Sequence, residues 1–500
     1  MSATLVARLT DVQDRLDALA RRHRVPGASL ALMLGGESLE FCTGVLNVST
    51  GVDVTPDSVF QIGSNTKIFT TTLVMQLVDS GEVDLDSPVK RYLPEFRLSV
   101  PGSERITVRH LLTHTSGIQG DYFDGFGRGD EAIERYVDSL SDIDLVHPVG
   151  EKWSYCNSGF VVAGRIVEAV TGLPYHAALR QKICEPLGLR RTTVLAEEMT
   201  ASRCAVGHVP GPTGEPTVPP VVVMEYAQAP AGSRTVATAS ELARFTKVHM
   251  DGGLAPSGAR MLSADGTRAM QEIQFTQPAM GEAPRYQGLG WMLQDWDGVR
   301  VIGHGGGTIG QLSFLEAVPD REAVVVLLTN SMTGGALWLD LGRWIFEDIL
   351  GMRMPTVPKP SEPAPDVALD RYAGVYERLG LRLHVTAEGG ELVVQSEPTG
   401  AMARMQMGPP PPPVRLRPLD GERFYAKVGG ADAIVVFSDF ERGRPGYLFM
   451  GRLARRGPGR PRPPAKAAPA KASSPAKRGR APSGSAAKAR PAKRAAATTR

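Results

Sequence analysis

The sequence predicts a mixed α/β (α+β) protein in which one antiparallel β-sheet is flanked by helices and carries a helical lobe. A small all-β, barrel-like domain and a disordered basic tail follow. Three observations lead there. Strand-like segments sit at both ends of the first 350 residues with helical periodicity between them. A proline-rich stretch then separates this part from a run of short β-rich segments. The last 46 residues contain no Val, Ile, Leu, Met or aromatic residue, so nothing in them offsets the entropy of ordering a chain.

A length of 500 residues implies more than one folding unit, and 42% apolar with 22% charged residues is a globular composition. No apolar run approaches the roughly 18 residues needed to span a bilayer. The N-terminal segment scatters charges where a signal peptide needs an apolar core. Its Leu5, Leu9, Val12, Leu16 and Leu19 mark an amphipathic helix instead. Cys42, Cys156, Cys184 and Cys204 are widely spaced without a CxxC pair, which argues against a zinc site and a disulfide framework and for a reducing cytoplasm. Of the 56 Lys and Arg, 14 lie after Ala454, leaving 42 against 53 Asp and Glu in the remainder. The folded part is therefore acidic and the tail basic.

Along the chain, Ala28 to Met33 and Leu39 to Val45 read as a hairpin turning at Gly35 and Gly36. A short strand, Ser58 to Ile62, runs into Gly63 and Ser64, and the apolar and small residues from Ile68 to Val78 cover most of a helical surface. Residues 89 to 245 carry helical patches, among them Val108 to Leu112, Gly159 to Thr171 and Ala239 to Met250. Strand patterns resume at Gly290 to Leu293, Val299 to Gly303, Gly310 to Ala317 and Ala323 to Leu328, before a helix from about Gly335 to Leu350. Early and late strands are expected to share one antiparallel sheet. The expected organisation is a catalytic domain over 1–353, a proline-rich linker over 354–366, a β-rich domain over 367–454 and a tail over 455–500.

Three segments carry chemistry. In FQIGSNTKIF, Lys67 follows Ser64 by one helical turn, which places an amine beside a hydroxyl that needs a base to become a nucleophile. The same S-x-x-K spacing recurs from Ser87, Ser474 and Ser485, so spacing alone is weak. Ser64 differs by context, since it opens a long buried helix whose N-terminal N–H groups suit a developing oxyanion. In WSYCNSGF an extended backbone turns Tyr155 and Asn157 to one side and Cys156 to the other, where Cys156 reads as a buried small hydrophobe. In VIGHGGGTIG a strand ends on His304 and on Gly305, Gly306 and Gly307, whose missing side chains let substrate approach the backbone. His110 and His114 stand four apart without an acidic third ligand and read as structural, so neither metal nor cofactor is expected.

These three motifs, in this order, resemble those of the serine β-lactamase and penicillin-recognising superfamily, particularly its class C, esterase and D-aminopeptidase branch. HLLTHTSGI (110–118), AGSRTVATASELARF (231–245) and YQGLGW (286–291) extend the resemblance over roughly residues 10 to 350, and LDRYAGVYE (369–377) is similar to the start of a lipocalin-like β module. The resemblance implies an acyl-serine intermediate on Ser64, with Lys67 and Tyr155 sharing the base role and Tyr155 protonating the leaving group. Asn157, His304 and Gly306 would bind and orient substrate, and the N–H groups of Ser64 and Gly307 would form the oxyanion hole. His304 stands where the third motif usually has lysine, and imidazole is a weaker partner for a substrate carboxylate.

Ester or amide hydrolysis of a small molecule or peptide is therefore the expected function. A β-lactamase or DD-peptidase is the enzymatic alternative, and a non-catalytic ligand sensor or polyanion-binding protein the alternative of another class. The basic tail suits either a solubilising extension or salt-sensitive contact with nucleic acid or another polyanion.

Overall fold

The computed structural model describes residues 3–405 and 411–458, so the tail from Gly459 onward lies outside the described residues. A helix, α1 (Ala3–Arg22), leads into a hairpin of β1 (Gly27–Leu34) and β2 (Glu37–Gly44). Gly35 and Gly36 turn it with φ of +54° and +87°, the left-handed pair that a two-residue hairpin needs. Six later strands complete the sheet: β3 (Phe275–Thr276), β4 (Arg285–Gln287), β5 (Met292–Trp296), β6 (Val299–Thr308), β7 (Gln311–Val318) and β8 (Ala323–Thr329). Their order is β2-β1-β8-β7-β6-β5-β4-β3, antiparallel throughout, so the first hairpin joins the late strands as expected.

The expected strand from Ser58 to Ile62 shrinks to Phe60–Gln61, paired with Val236–Ala237 outside the main sheet. At its start the Ser58 N–H turns back to the Thr55 carbonyl, and Val59 makes only an isolated bridge to Cys204. β6, in contrast, runs on through the glycines to Thr308, because β7 pairs with it as far as Thr308 opposite Gln311.

Helix α2 (Thr66–Asp79) threads the protein interior and is buried on almost every side, which is why its apolar residues show no single face. The lobe contributes α3 (Val108–Leu112), α4 (Ala132–Ser139) and α5 (Asn157–Thr171), the last capped by the Cys156 sulfur, which accepts from the Gly159 N–H at 3.2 Å. After the lobe come α6 (Ala239–Met250) and α7 (Gly334–Trp344). Alternation along β8 fills two cores. Val325 and Leu327 face α1 and α7 with Val12, Leu16, Leu337 and Leu341. Val324, Val326 and Leu328 face α2 and α6 with Phe69, Leu73 and Phe245. Each such side chain contributes about 1.5–3 kcal/mol on burial.

Residues 351–368 form neither helix nor strand. A closed eight-stranded barrel follows: β9 (Gly374–Arg378), β10 (Leu381–Glu388), β11 (Glu391–Pro398), β12 (Val414–Pro418), β13 (Arg423–Val428), β14 (Ala431–Glu441), β15 (Arg444–Phe449) and β16 (Leu453–Arg456). Arg455 and Arg456, counted with the tail on composition, are strand residues instead. They pair with Glu377 and Tyr376 to close the barrel, and Arg456 donates to the Tyr376 hydroxyl at 2.8 Å. The barrel docks on the lobe through one shared apolar cluster, in which Val146 and Trp153 meet Ile434, Val436, Phe449 and Leu453. No helix among the described residues is long and apolar enough to cross a membrane.

Candidate active site

Ser64 sits in a single 3-10 turn, Gly63–Asn65, that runs directly into α2. The turn is pinned to the sheet by Asn65, whose amide donates to Ser313 Oγ at 2.7 Å, and Ser313 donates in turn to the Ile62 carbonyl at 2.7 Å. One turn on, Lys67 is fully buried, and its Nζ reaches three oxygens: Ser64 Oγ at 3.1 Å, Asn157 Oδ1 at 2.8 Å and the Ala231 carbonyl at 2.6 Å. Burial, and then the positive charge of Arg452, hold the Lys67 amine well below the usual lysine range. A neutral amine has two N–H bonds and one lone pair. With Asn157 and Ala231 able to accept both N–H bonds, the lone pair is left for the Ser64 hydroxyl proton.

Tyr155 completes the group. Its hydroxyl and the Ser64 side chain are hydrogen-bonded, and Lys67 Nζ and the Arg452 guanidinium carbon lie 4.8 Å and 5.0 Å from the centroid of its ring. Burial pushes the phenol above its ordinary range, against the opposing pull of the Ser64 hydrogen bond and of Arg452. Tyr155 thus carries its proton at neutral pH, and of the two groups expected to share the base role only Lys67 is set to accept. His114 packs its ring 4.3 Å from that of Tyr155, and its Nδ1 accepts from the Cys156 N–H at 3.0 Å. The Cys156 thiol is buried and pushed up to about 11, no condition for a nucleophile.

The third motif lies along β6. Beyond Gly303 this strand has no partner on its β5 side, so one edge of its glycines is open. A Cβ on Gly63 would lie 2.5 Å from the Gly307 nitrogen, so the Gly307 backbone packs directly against the turn that carries Ser64. Gly306 lies against the residues that precede Ser64. It does not line the cavity, and a Cβ there would fall 2.0 Å from the Ile62 carbonyl, so its bare backbone serves to seat β6 against the Ser64 turn. His304 lines the cavity but supplies no charge. Burial, then Lys67, lower it to about 3, and its Nδ1–H donates to the Gly305 carbonyl at 2.6 Å. This leaves Nε2 buried as an acceptor without a partner.

Sequence reasoning missed the cation of this site. Arg452, from the barrel, reaches into the cavity of about 690 Å³ that holds Ser64, Tyr155 and Asn157. Asp121, only 8% exposed, holds it there as an ion pair, Oδ2 lying 2.8 Å from Arg452 Nε; the same Oδ2 accepts from Arg378 at 2.6 Å, and Oδ1 from the Asn157 amide at 3.3 Å. Arg452 follows an ordinary turn glycine and Asp121 an unremarked loop, so no local pattern singles out either. The same holds for the Ala231 carbonyl, since every residue has one.

Comparison with known proteins gives a consistent set of likenesses. A family model described as Beta-lactamase matches residues 12–347. Penicillin-binding protein 4 of Amycolatopsis lactamdurans is 42% identical over 372 residues, covering 74% of this chain and 97% of that protein. A solved structure of SurE superposes with a TM-score of 0.74 at 27% identity, covering 90% of this chain and 99% of the other. The D-amino acid amidase of Ochrobactrum anthropi SV3, solved with L-phenylalanine amide, has a TM-score of 0.54 at 26% identity, covering 64% and 91%.

Proposed function

Because this chain belongs to the beta-lactamase family and is a serine hydrolase of esters and amides, we propose that Ser64 is its nucleophile, Lys67 the base and Tyr155 the acid of an acyl-enzyme cycle. The supporting observation is the placement of the buried Lys67 amine, with two acceptors for its protons and the Ser64 hydroxyl as the third neighbour. In the first half, Ser64 Oγ gives its proton to Lys67 and bonds to the substrate carbonyl carbon, while the N–H groups of Ser64 and Gly307 hold the oxyanion. Tyr155 protonates the departing nitrogen or oxygen as the scissile bond breaks. Its phenolate forms near the Lys67 and Arg452 cations. In the second half, a water gives its proton to the Tyr155 phenolate and its hydroxide to the acyl carbon. Ser64 leaves with the proton stored on Lys67, and every group is restored.

Intact-mass spectrometry after fluorophosphonate treatment, with the adduct located by peptide mapping, tests this alongside turnover of a p-nitrophenyl acyl ester. One adduct on the Ser64 peptide with turnover is expected. An unlabelled chain that turns over nothing would remove the nucleophile from the proposal.

Arg452 alters the expected substrate. With His304 neutral, the permanent cation that binds a substrate carboxylate comes from the barrel. The Arg452→Ala variant is expected to lower kcat/KM for an amide bearing a free carboxylate at least about ten-fold more than for its methyl ester, the scale of one charge-assisted hydrogen bond. Equal losses on both substrates would assign Arg452 to the fold alone. The family's β-lactam and DD-peptide substrates stay open on this reading, and nitrocefin turnover separates them from a plain ester or amide.

For the basic tail, we infer salt-sensitive contact with a polyanion in a reducing, cytoplasmic setting, in keeping with four cysteines that remain free thiols. Since β16 ends at Arg456, the test truncates after Pro458 and spares the barrel. Duplex DNA retention that falls steeply between 50 and 200 mM salt, and is lost on truncation, is the expected result in gel shifts. Retention by the truncated chain would end the idea.

A further inference from the structure

The cavity that contains Ser64 does not end at the catalytic group. It is lined as well by Arg285 of β4, Gln294 of β5 and Glu316 of β7, with Gln277 beyond the end of β3. Strand pairing sets these residues side by side, Arg285 opposite Gln294 and Glu316 opposite Gly303. Gly303 is what makes the room, because a Cβ there would lie 2.2 Å from Glu316 Oε2. None of these polar residues belongs to the three catalytic motifs.

Glu316 Oε2 is buried and accepts no hydrogen bond. The Arg285 charge acts on Glu316, yet neither side chain has an ion-pair partner among the described residues. Burial raises the Glu316 carboxyl to about 8 in spite of Arg285, so at neutral pH it is mostly protonated and can donate as well as accept. A buried acceptor left unmatched is costly, and a ligand donor would remove that cost.

We propose that this end of the cavity is a second subsite that binds a neutral amide of the substrate, a peptide unit or a carboxamide, at a distance from the scissile bond. The amide carbonyl accepts from the Arg285 guanidinium and its N–H donates to Glu316. Beside them, the Gln277 amide nitrogen is bound to Tyr286 and Gln287 and the Gln294 amide oxygen to Trp296, which leaves the Gln277 oxygen as an acceptor and the Gln294 nitrogen as a donor. A cationic group is opposed by Arg285, and a carboxylate brings no donor for the unmatched Glu316 Oε2. An amide satisfies both groups without a net charge. The inference rests on the Ser64 reading of the site and narrows its substrate class to molecules with at least one amide beyond the bond cleaved.

The probe is N-acetyl-dialanine amide, in L and D forms, against the analogue whose internal amide is replaced by an ester, each measured as an inhibitor of p-nitrophenyl acetate hydrolysis by the full chain. The amide is expected to bind at least ten-fold more tightly than the ester analogue in one stereochemical form. Glu316→Ala should reduce that ratio to within two-fold, Glu316→Gln should restore most of it, and Arg285→Met should lower it independently. A ratio that survives both Glu316→Ala and Arg285→Met, or is near one in the native chain, overturns the subsite. If p-nitrophenyl acetate is not hydrolysed, the Ser64 reading fails by itself, and calorimetric Kd values on the same chains still decide the amide preference.

Discussion

The Ser64→Ala variant is expected to lose roughly 10^4- to 10^6-fold in kcat for an acyl ester and all labelling by a fluorophosphonate. No other side chain hydrogen-bonded to Lys67 can replace it, since the remaining neighbours of Nζ are an amide oxygen and a backbone carbonyl, neither of them nucleophilic. The residual rate would come from the oxyanion hole and from substrate positioning, which survive the substitution. The turn itself should survive as well, being held by Asn65, Thr66 and Ser313 rather than by the Ser64 side chain. The thermal midpoint is therefore expected to move by no more than a few degrees, and product affinity to stay within about two-fold. Pre-steady-state and steady-state kinetics with a thermal melt check all three. A variant that retains even one per cent of native turnover would place the nucleophile elsewhere.

Lys67→Ala is expected to lower kcat/KM by about 10^3- to 10^4-fold, the upper range for a general base. Lys67→Arg should not rescue it, because a guanidinium has no accessible neutral form and cannot accept the Ser64 proton. The sign of the pH dependence follows from the shift. The Lys67 amine is held below its ordinary range, it works only when deprotonated, and activity is therefore lost as pH falls through that lowered value. The Tyr155 phenol is pushed upward and works while protonated, so its loss governs the alkaline side. The native profile should have an acid limb set by Lys67. In Lys67→Ala that limb should vanish, with partial recovery by a small added amine such as methylamine. An unchanged acid limb in the variant would show that another group sets it.

Much of the catalytic lobe was legible in the sequence because its signals are local. The continuous apolar run AVVVLLT of β8, the Gly35-Gly36 turn and the spacing of Ser64 and Lys67 each depend on neighbours within one turn or one hairpin. The Ser58 to Ile62 strand was overextended because Ser58 closes its own turn on Thr55 and Val59 bridges to the distant Cys204, and composition does not reveal that. Gly306 was singled out for close backbone approach, and within the fold the backbone that approaches it is that of Ile62.

The sequence by itself determined that Ser64 and Lys67 stand one turn apart at the head of a buried helix, and that the C-terminal part is β-rich, because periodicity and spacing are properties of contiguous residues. Tertiary structure alone decided the electrostatics. Whether Lys67 is neutral depends on burial and on a guanidinium 385 residues further along the chain. Whether His304 carries charge depends on the same burial, and the cation that replaces it arrives on a barrel held in place by Asp121. Charge and solvation act through space and not along the chain, so groups far apart in sequence set them together.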